Sequence, residues 1–290
     1  MPDLVIALDV GGSSVKSGVV QADHTVYQRR TTPIDSSGPA ESILATLAAI
    51  IDGHARTLGK DAVLRGVGLG FPGPFDYAQG VCYIHGVAKY EALYGLHMDA
   101  ELRARLAWGP KPPIRFRNDA EAAIIGEFCY GAGRSFVRGI GVTLGTGFGS
   151  TFVVEGKPQR AGPGVPPNGW LYAESWQGQQ ADDVFSARGL QARLAAAFGR
   201  PLDIPTAAQR ARVGDQQLQE VFRRFGADLG AFLYPYARAF DAHVVLILGG
   251  IAHAMDLFET AVAQALRLPV RGGALGPDAA LLGAAELFFA

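Results

Sequence analysis

The chain has 290 residues, of which 49% are hydrophobic and 18% charged, and its 26 Lys and Arg residues nearly balance its 27 Asp and Glu residues. The apolar content is high enough for a folded core, and the net charge of -1 gives no electrostatic reason to expect nucleic acid or an anionic membrane as a partner. No run approaches the roughly 20 apolar residues of a membrane span, and no basic segment precedes the first apolar run. We therefore expect a cytoplasmic protein without a targeting signal.

Apolar periodicity along the chain predicts an alternation of strands and helices. Continuous apolar runs indicate buried strands, whereas apolar residues three or four positions apart indicate helices. The predicted strands are residues 4–8, 15–20, 64–69, 114–116 and 244–248. The predicted helices are residues 41–58, 120–131, 182–198, 216–240 and 278–288. The segment 156–169 holds four prolines and four glycines and is expected to be irregular.

An internal repeat indicates that the chain contains two duplicated lobes. Residues 7–20 (ALDVGGSSVKSGVV) align without a gap with residues 141–154 (GVTLGTGFGSTFVV). Each copy has the pattern of a strand, a small-residue turn and a second strand, and the two copies lie too far apart for a solenoid. The alternative is that any two glycine-rich hairpins resemble each other in this way.

The turns inside this repeat have the composition of phosphate-binding loops. In the segment 11–14, glycines let backbone N–H groups approach an anion, and serine hydroxyls add donors. Asp9, just before that segment, suits a hydrated Mg²⁺. The turn at 145–149 has a similar composition. Taken alone, either turn is better explained as an ordinary Gly-rich hairpin turn. The two turns together, however, predict a cleft in which the polyphosphate group of a ligand is bound from both sides.

Two further strand ends carry candidate residues. Asn118 and Asp119 follow a strand and precede a helix, where α/β sheets collect ligands, so Asp119 is placed to act as a general base. The alternative is that this pair only caps the helix, since Asn and Asp are preferred N-caps. Gly249 and Gly250 form either a nucleotide-approach turn or an ordinary strand-to-helix turn. The six histidines do not show the spacing of a metal site.

Taken in order, six segments resemble the ROK family of sugar kinases, within the actin-like, Hsp70-like ATPase superfamily. They are residues 7–20 and 139–157 (the two phosphate motifs), 68–76 (GLGFPGPFD, the GxPGP element), 117–134 (RNDAEAAIIGEFCYGAGR, with the catalytic Asp), 244–258 (VVLILGGIAHAMDLF, the adenosine motif) and 275–289 (LGPDAALLGAAELFF, the closing helix). The resemblance implies an α/β fold of two duplicated actin-like (ribonuclease H-like) lobes with a nucleotide and sugar cleft between them. The implied lobes are residues 1–118 with the closing helix at 277–290, and residues 119–276. A homodimer is also implied.

The resemblance further implies an ATP- and Mg²⁺-dependent phosphorylation of a hexose. Asp119 would take the proton from a sugar hydroxyl, usually the 6-hydroxyl, while Asn118 would hydrogen-bond the sugar ring and Asp9 would hold Mg²⁺ through water. The residues assigned to the nucleotide are Asp9, Gly11, Gly12, Ser13, Ser14, Lys16, Thr143, Gly145, Thr146, Gly147, Gly249 and Gly250. The residues assigned to the sugar are Gly70, Pro72, Gly73, Asn118, Asp119, Glu174 and Asp182.

One stretch departs from the family pattern. The family has a GE-x-GH element followed by CxCGxxGC, which bind the sugar and a structural zinc, whereas residues 166–190 contain neither Cys nor His. A zinc site is therefore not expected. Alignment of the following helix places Asp182 on the second sugar-binding Glu, and the first Glu and the His are replaced by Gly169 and Tyr172, unless Glu174 reaches in instead. This difference leaves the identity of the sugar open.

Two alternatives to an ATP-dependent hexose kinase remain open. The first is a non-catalytic sugar sensor of the same fold. The helix-turn-helix domain of ROK repressors is not expected, because the first phosphate motif begins close to the start of the chain. The second is a kinase that uses polyphosphate, which is less favoured because the sequence has no obvious basic track for a long polyanion.

Overall fold

Strands and helices alternate along the chain, in the arrangement of an α/β protein. The computed structural model describes residues 3–59, 62–108 and 111–289. Its strands are β1 Asp3–Val10, β2 Ser14–Gln21, β3 Val26–Pro33, β4 Val63–Phe71, β5 Phe75–Asp76, β6 Val81–Cys82, β7 Ile114–Asn118, β8 Arg138–Leu144, β9 Phe148–Val154, β10 Lys157–Gln159, β11 Ser175–Trp176, β12 Gln179–Gln180, β13 Val245–Leu248 and β14 Val270–Gly272. Its α-helices are α1 Ala40–Ala55, α2 Met98–Arg105, α3 Asp119–Tyr130, α4 Ala181–Phe185, α5 Ala187–Phe198, α6 Ile204–Arg212, α7 Gln216–Phe240, α8 Glu259–Leu266 and α9 Asp278–Phe289.

Two five-stranded sheets form the framework, and their strands follow the same order. The first sheet is ordered β3-β2-β1-β4-β7 and the second β10-β9-β8-β13-β14. In each sheet three strands that are consecutive in the chain form an antiparallel meander, β1–β2–β3 or β8–β9–β10. Two further strands are parallel to β1 in the first sheet and to β8 in the second. The hairpins β1–β2 and β8–β9 occupy equivalent places, which confirms the duplication predicted from residues 7–20 and 141–154.

The register of the first sheet brings the carboxyl ends of its parallel strands to one edge. Asp9 of β1 pairs with Gly70 of β4, and Phe71 of β4 pairs with Asn118 of β7. Ligands of α/β sheets bind beyond this edge, because the loops that follow the strands converge there. Three of the segments selected from the sequence therefore lie at the same edge of the first sheet.

Each half of the duplication has its own apolar core. In the first, the side chains of Ile6, Leu8, Leu47, Phe71 and Leu102 are completely buried between the sheet and helices α1 and α2. In the second, aliphatic side chains pack among buried phenylalanines, namely Phe148, Phe152, Phe185, Phe222, Phe225, Phe232, Phe240 and Phe258. Burial of one large apolar side chain stabilises a protein by about 1.5–3 kcal/mol, so these cores hold the strand ends in place.

The chain divides into two compact units, Met1–Gly126 with Leu275–Ala290, and Glu127–Ala274. The expected division after residue 118 differs from this one, because the first two turns of α3 pack closely on α9. A Cβ atom on Gly283 would lie 1.8 Å from the carbonyl oxygen of Ala122, and one on Gly126 would lie 2.0 Å from that of Ala279. Asp119, at the start of α3, consequently belongs to the first unit.

The helical prediction over 182–198 holds except at Ser186, where the structure breaks the segment into two helices, α4 and α5. Ser186 between them is buried and extended, with φ −78° and ψ 176°. The next residue, Ala187, donates its backbone N–H to the carbonyl oxygen of Gly145 at 2.7 Å, instead of continuing the first helix. The break therefore ties this segment to the second Gly-rich turn.

Some short elements were not predicted from the sequence. They are chiefly β3, β10, β14, α2, α6 and α8. The strand β10 lies inside the segment 156–169 that was expected to be irregular, where it pairs with β9. Within the part of the chain that the structure describes, helices long and apolar enough to cross a membrane are absent.

Candidate active site

The first Gly-rich turn joins β1 to β2 and presents free backbone donors. Gly11 donates its N–H to the carbonyl oxygen of Ser14 at 3.0 Å, which closes the turn. Among the described residues, the N–H groups of Gly12 and Ser13 donate to no protein acceptor, and both residues are exposed. Unpaired N–H groups next to each other form a concave anion-binding site.

Asp9 and Lys16 face each other at the base of this turn. They are paired across β1 and β2, and the Lys16 Nζ lies 3.7 Å from the Asp9 Oδ2. Burial raises the pKa of Asp9, and the negative charge of Asp119 raises it further, while the Lys16 ammonium lowers it. The net pKa of Asp9 is above the ordinary value for an aspartate, so a cation at this position would be stabilising.

Two residues that the sequence analysis did not select hold the first turn in place. Tyr90 donates its hydroxyl to the carbonyl oxygen of Gly11 at 2.5 Å, and Ser36 donates its hydroxyl to that of Gly12 at 2.6 Å. Tyr90 is completely buried, and burial raises its pKa, as do the nearby charges of Asp119 and Asp9. The phenol therefore remains a neutral donor over the whole physiological pH range.

Asp119 lies at the junction of β7 and α3, and its neighbour caps the helix. Asn118 accepts a hydrogen bond from the N–H of Glu121 at 3.1 Å through its Oδ1, as an N-cap residue does. Asp119 itself accepts only from Ala120 through Oδ1, at 2.9 Å, and among the described residues its Oδ2 accepts no hydrogen bond. The capping role that the sequence left open for this pair thus belongs to Asn118.

The surroundings of Asp119 raise its pKa. Burial has the largest effect, and it exceeds the opposite effects of the Ala120 N–H and of the Lys89 ammonium. Gly70, near the end of β4, leaves space for the start of α3. A Cβ atom on Gly70 would lie 3.3 Å from the Cβ atom of Ala122. Asp119 is therefore a carboxylate whose proton affinity has been raised and whose Oδ2 remains available.

The GxPGP element includes the end of β4, and Tyr77, the residue just after the element, contacts the Asn118 side chain. Asn118 donates its Nδ2 to the hydroxyl of Tyr77 at 3.1 Å, and that hydroxyl donates to the carbonyl oxygen of Phe71. A Cβ on Gly73 would lie 3.1 Å from the same hydroxyl. The sequence-selected Gly70, Gly73 and Asn118 are thus brought together in the first unit.

The second Gly-rich turn occupies the equivalent place in the second unit, but it is one residue shorter than the first, since Leu144 pairs with Phe148 whereas Val10 pairs with Val15. Gly145 donates its N–H to the carbonyl oxygen of Gly147 at 3.0 Å. Among the described residues, the N–H groups of Thr146 and Gly147 donate to no protein acceptor. Thr143 pairs with Leu248, so the turn lies beside the end of β13.

Gly249 and Gly250 follow β13 directly, and the first of them has to be glycine. Gly249 has φ +91°, and a Cβ there would lie 2.5 Å from the carbonyl oxygen of Leu144. Gly250 begins a 3-10 helix and has nothing within 4 Å of a Cβ position. The chain is thus able to turn sharply beside the second phosphate-type turn.

Asp182 holds the second turn rather than standing free. Its Oδ1 accepts the N–H of Phe148 at 2.7 Å, and its Oδ2 accepts from Arg188 at 2.7 Å. A Cβ on Gly147 would lie 3.3 Å from the same Oδ1. This contact was not expected from the sequence, and the assignment of Asp182 to the sugar stays a prediction.

Glu174 is anchored by α7. Its Oε2 accepts a hydrogen bond from the hydroxyl of Tyr236 at 2.9 Å. Burial, together with the adjacent carboxylate, raises the pKa of Tyr236 to about 12, so the tyrosine remains a donor. This contact gives Glu174 a defined orientation, while its assignment to the sugar also stays a prediction.

A family model and two curated relatives match nearly the whole chain. The ROK family model matches residues 5–289. The glucokinase of Streptomyces coelicolor is 26% identical over an alignment that covers 98% of this chain and 97% of the glucokinase. The N-acetyl-D-glucosamine kinase of Pectobacterium atrosepticum is 25% identical, with coverage of 87% of this chain and 85% of that kinase.

A solved structure shares the fold. The crystal structure of a ROK family glucokinase from Streptomyces griseus, in complex with glucose and AMPPNP, aligns with a TM-score of 0.76 and 22% identity. It covers 98% of this chain and 99% of that one. The α/β architecture with its duplicated sheets is accordingly the actin-like ATPase fold of ROK sugar kinases. Together with the match over residues 5–289, this shows that the chain belongs to the ROK family.

Proposed function

We propose that this protein is an ATP-dependent hexose kinase that transfers the γ-phosphoryl group to a sugar hydroxyl, the 6-hydroxyl, with Asp119 as the general base. The enzyme is a sugar kinase, a phosphotransferase whose acceptor is an alcohol. The observation that carries the role of Asp119 is its position at the carboxyl end of β7, with an available Oδ2 and a raised pKa. A base works best when its pKa approaches the operating pH.

The residues of the first unit suit phosphoryl transfer, which depends mostly on positioning and on charge neutralisation. Asp119 accepts the proton of the acceptor hydroxyl, so that the oxygen can form its bond to the γ-phosphorus while the bond to the leaving ADP oxygen breaks. The free N–H groups at Gly12 and Ser13 bind phosphate oxygens, and Lys16 adds a positive charge near them. The second turn at 145–147 supplies N–H donors of the same kind.

Mg²⁺ fits the residues at the base of the first turn. Magnesium in kinases is bound by one or two carboxylates, by water and by the phosphates of the nucleotide. Asp9 supplies a carboxylate whose charge is disfavoured by burial and by Asp119, so a divalent cation would relieve both effects. When bound, Mg²⁺ neutralises charge on the phosphates. Most Mg²⁺ ligands would come from phosphate and water, as is usual where one carboxylate binds this ion.

The acceptor side of the proposal is carried by Asn118, Glu174 and Asp182. Asn118 accepts the Glu121 N–H through its Oδ1 and donates one Nδ2 proton to Tyr77, so its second Nδ2 proton remains for a sugar hydroxyl. Glu174 is orientated by Tyr236 and can accept hydrogen bonds from sugar hydroxyls through its second oxygen. Both carboxylate oxygens of Asp182 accept protein hydrogen bonds, so its contact with a sugar would use the remaining lone pairs.

A panel of hexoses and two phosphoryl donors tests the function. Purified protein is mixed with Mg²⁺ and either ATP or polyphosphate, and phosphosugar formation is followed for glucose, mannose, N-acetylglucosamine, N-acetylmannosamine and a β-glucoside. The proposal predicts sugar-dependent formation of ADP with at least one hexose. Binding of sugars without turnover with either donor would indicate a non-catalytic sugar sensor. Turnover with polyphosphate but not with ATP would indicate a polyphosphate-dependent kinase.

Replacement of Tyr90 by phenylalanine tests whether the first turn binds the nucleotide. The variant loses the hydrogen bond to the Gly11 carbonyl, which is worth about 0.5–1.5 kcal/mol. We expect the Kd for AMPPNP to rise by about three- to tenfold, measured by titration calorimetry. Tyr83→Phe, a change at a half-exposed tyrosine, serves as the control and should leave the Kd unchanged. Equal AMPPNP affinity in Tyr90→Phe and the wild type would contradict the role of the turn.

A further inference from the structure

Lys89 lies on a segment whose backbone is fixed against the first Gly-rich turn. Its two neighbours, Ala88 and Tyr90, both have φ +56°, a left-handed conformation that is unfavourable for residues other than glycine. Such backbone persists where its surroundings impose it, and it is common at functional sites. Here the surroundings are the hydrogen bonds of the Tyr90 hydroxyl to Gly11 and of the Tyr90 N–H to the Ser36 carbonyl.

The Lys89 side chain runs from this segment toward both the turn and the proposed base. Its Cδ lies 4.0 Å from the position that a Cβ on Gly12 would occupy. Its ammonium is also close enough to Asp119 to favour the charged form of that carboxyl group. The side chain is half-buried, and it is near both the Gly12 backbone and the Asp119 carboxyl group.

The ammonium of Lys89 has no direct ion-pair partner in the described part of the chain. Among the described residues it forms no hydrogen bond and no ion pair within 4.0 Å, whereas Lys16 pairs with Asp9 at 3.7 Å. A lysine whose role was to pair with Asp119 would be expected to contact it directly. A half-buried ammonium without a direct ion pair has its N–H donors available to a bound anionic ligand.

We propose that Lys89 is a catalytic residue that binds the phosphoryl group during its transfer. This proposal rests on the proposed function of the site. The ammonium contacts non-bridging oxygens of the γ-phosphate, forms no covalent bond and keeps its proton. In the step itself, the acceptor oxygen forms a bond to the γ-phosphorus, the bond from that phosphorus to the ADP oxygen breaks with its electron pair, and the hydroxyl proton goes to Asp119. Lys89 stabilises the charge that the three equatorial oxygens carry in the transition state.

The test compares Lys89→Met with Lys111→Met, a matched change at a half-buried lysine in the loop before β7. For each variant the Kd values of AMPPNP and of ADP are measured, and kcat and KM are determined with ATP and the preferred hexose. We expect Lys89→Met to weaken AMPPNP binding by about tenfold, to leave ADP binding unchanged, and to lower kcat by about 10²-fold. Lys111→Met should match the wild type in every value.

A second variant separates charge from folding. Lys89→Arg keeps the positive charge, and it should recover a large part of the AMPPNP affinity that Lys89→Met loses. A purely structural lysine would change the affinities for ADP and AMPPNP equally, and that result would overturn the proposal, as would normal turnover in Lys89→Met. If the wild type phosphorylated none of the sugars, the proposed function would fail, and the ratio of the ADP and AMPPNP affinities would still decide the role of Lys89.

Discussion

Replacement of Asp119 by asparagine should lower kcat for sugar phosphorylation by about 10²–10⁴-fold, the range that removal of a general base produces. Asparagine keeps the size of the side chain and can still accept the Ala120 N–H, but it cannot take up the acceptor proton. We therefore expect AMPPNP binding and thermal stability to remain close to those of the wild type. Asp23→Asn, a change in the exposed turn between β2 and β3, is the matched control and should keep full activity.

The pH dependence of the wild type provides a second measure of the same residue. Protonated Asp119 cannot act as a base, so kcat/KM should fall as the pH is lowered through its pKa. Because burial raises that pKa, the acid limb should lie above the ordinary aspartate value of 3.8, and activity should level off at higher pH. Lys89→Met removes a charge that lowers this pKa, so the acid limb should move to higher pH. Wild-type turnover in Asp119→Asn would contradict the assignment of the base.

Replacement of Gly283 by alanine should lower the free energy of unfolding by about 3 kcal/mol or more. The new Cβ would lie 1.8 Å from the carbonyl oxygen of Ala122 and 2.9 Å from the backbone nitrogen of Gly126, so helices α3 and α9 would have to separate. Overpacking of this kind commonly costs about 1–3 kcal/mol, and more where backbone has to move. The opposite effect, the better helix propensity of alanine, is only about 1 kcal/mol, so destabilisation should dominate.

The same substitution should also reduce catalysis in the molecules that remain folded. Asp119 begins α3, and a misplacement of about 1 Å can reduce the rate about 10²-fold. Chemical denaturation and kcat would be measured together, with Gly59→Ala as the control, because a Cβ on Gly59 has nothing within 4 Å. A Gly283→Ala protein with the stability of the wild type would show that the close packing of α3 on α9 is not needed.

Local patterns predicted the parts of the site that lie on strand ends. The hairpin containing Asp9 and its copy containing Thr143 have continuous apolar strands around small-residue turns, which is a strong local pattern. The helix after Asn118 follows from a stripe of apolar residues and a capping residue. These elements matched because their periodicity and their packing favour the same structure.

The remaining parts depend on contacts between residues distant in the sequence. Tyr90, Ser36 and Lys89 lie in segments without clear periodicity, and only the fold brings them to the turn at Gly11. The break at Ser186 was missed because the apolar pattern continues through it, whereas the hydrogen bond from Ala187 to Gly145 is a tertiary contact. Similarly, local sequence could not decide which of Asn118 and Asp119 caps α3.

The most direct test of the central claim is the position of the phosphate on the product. A reaction of the purified protein with ATP, Mg²⁺ and the hexose that gives the highest turnover would be analysed by proton–phosphorus correlation NMR. We predict one phosphosugar for each ADP formed, with its phosphorus coupled to the two protons on C6. A phosphorus coupled to a proton of another carbon would contradict the 6-hydroxyl, and the absence of any phosphosugar with every hexose tested would contradict kinase activity itself.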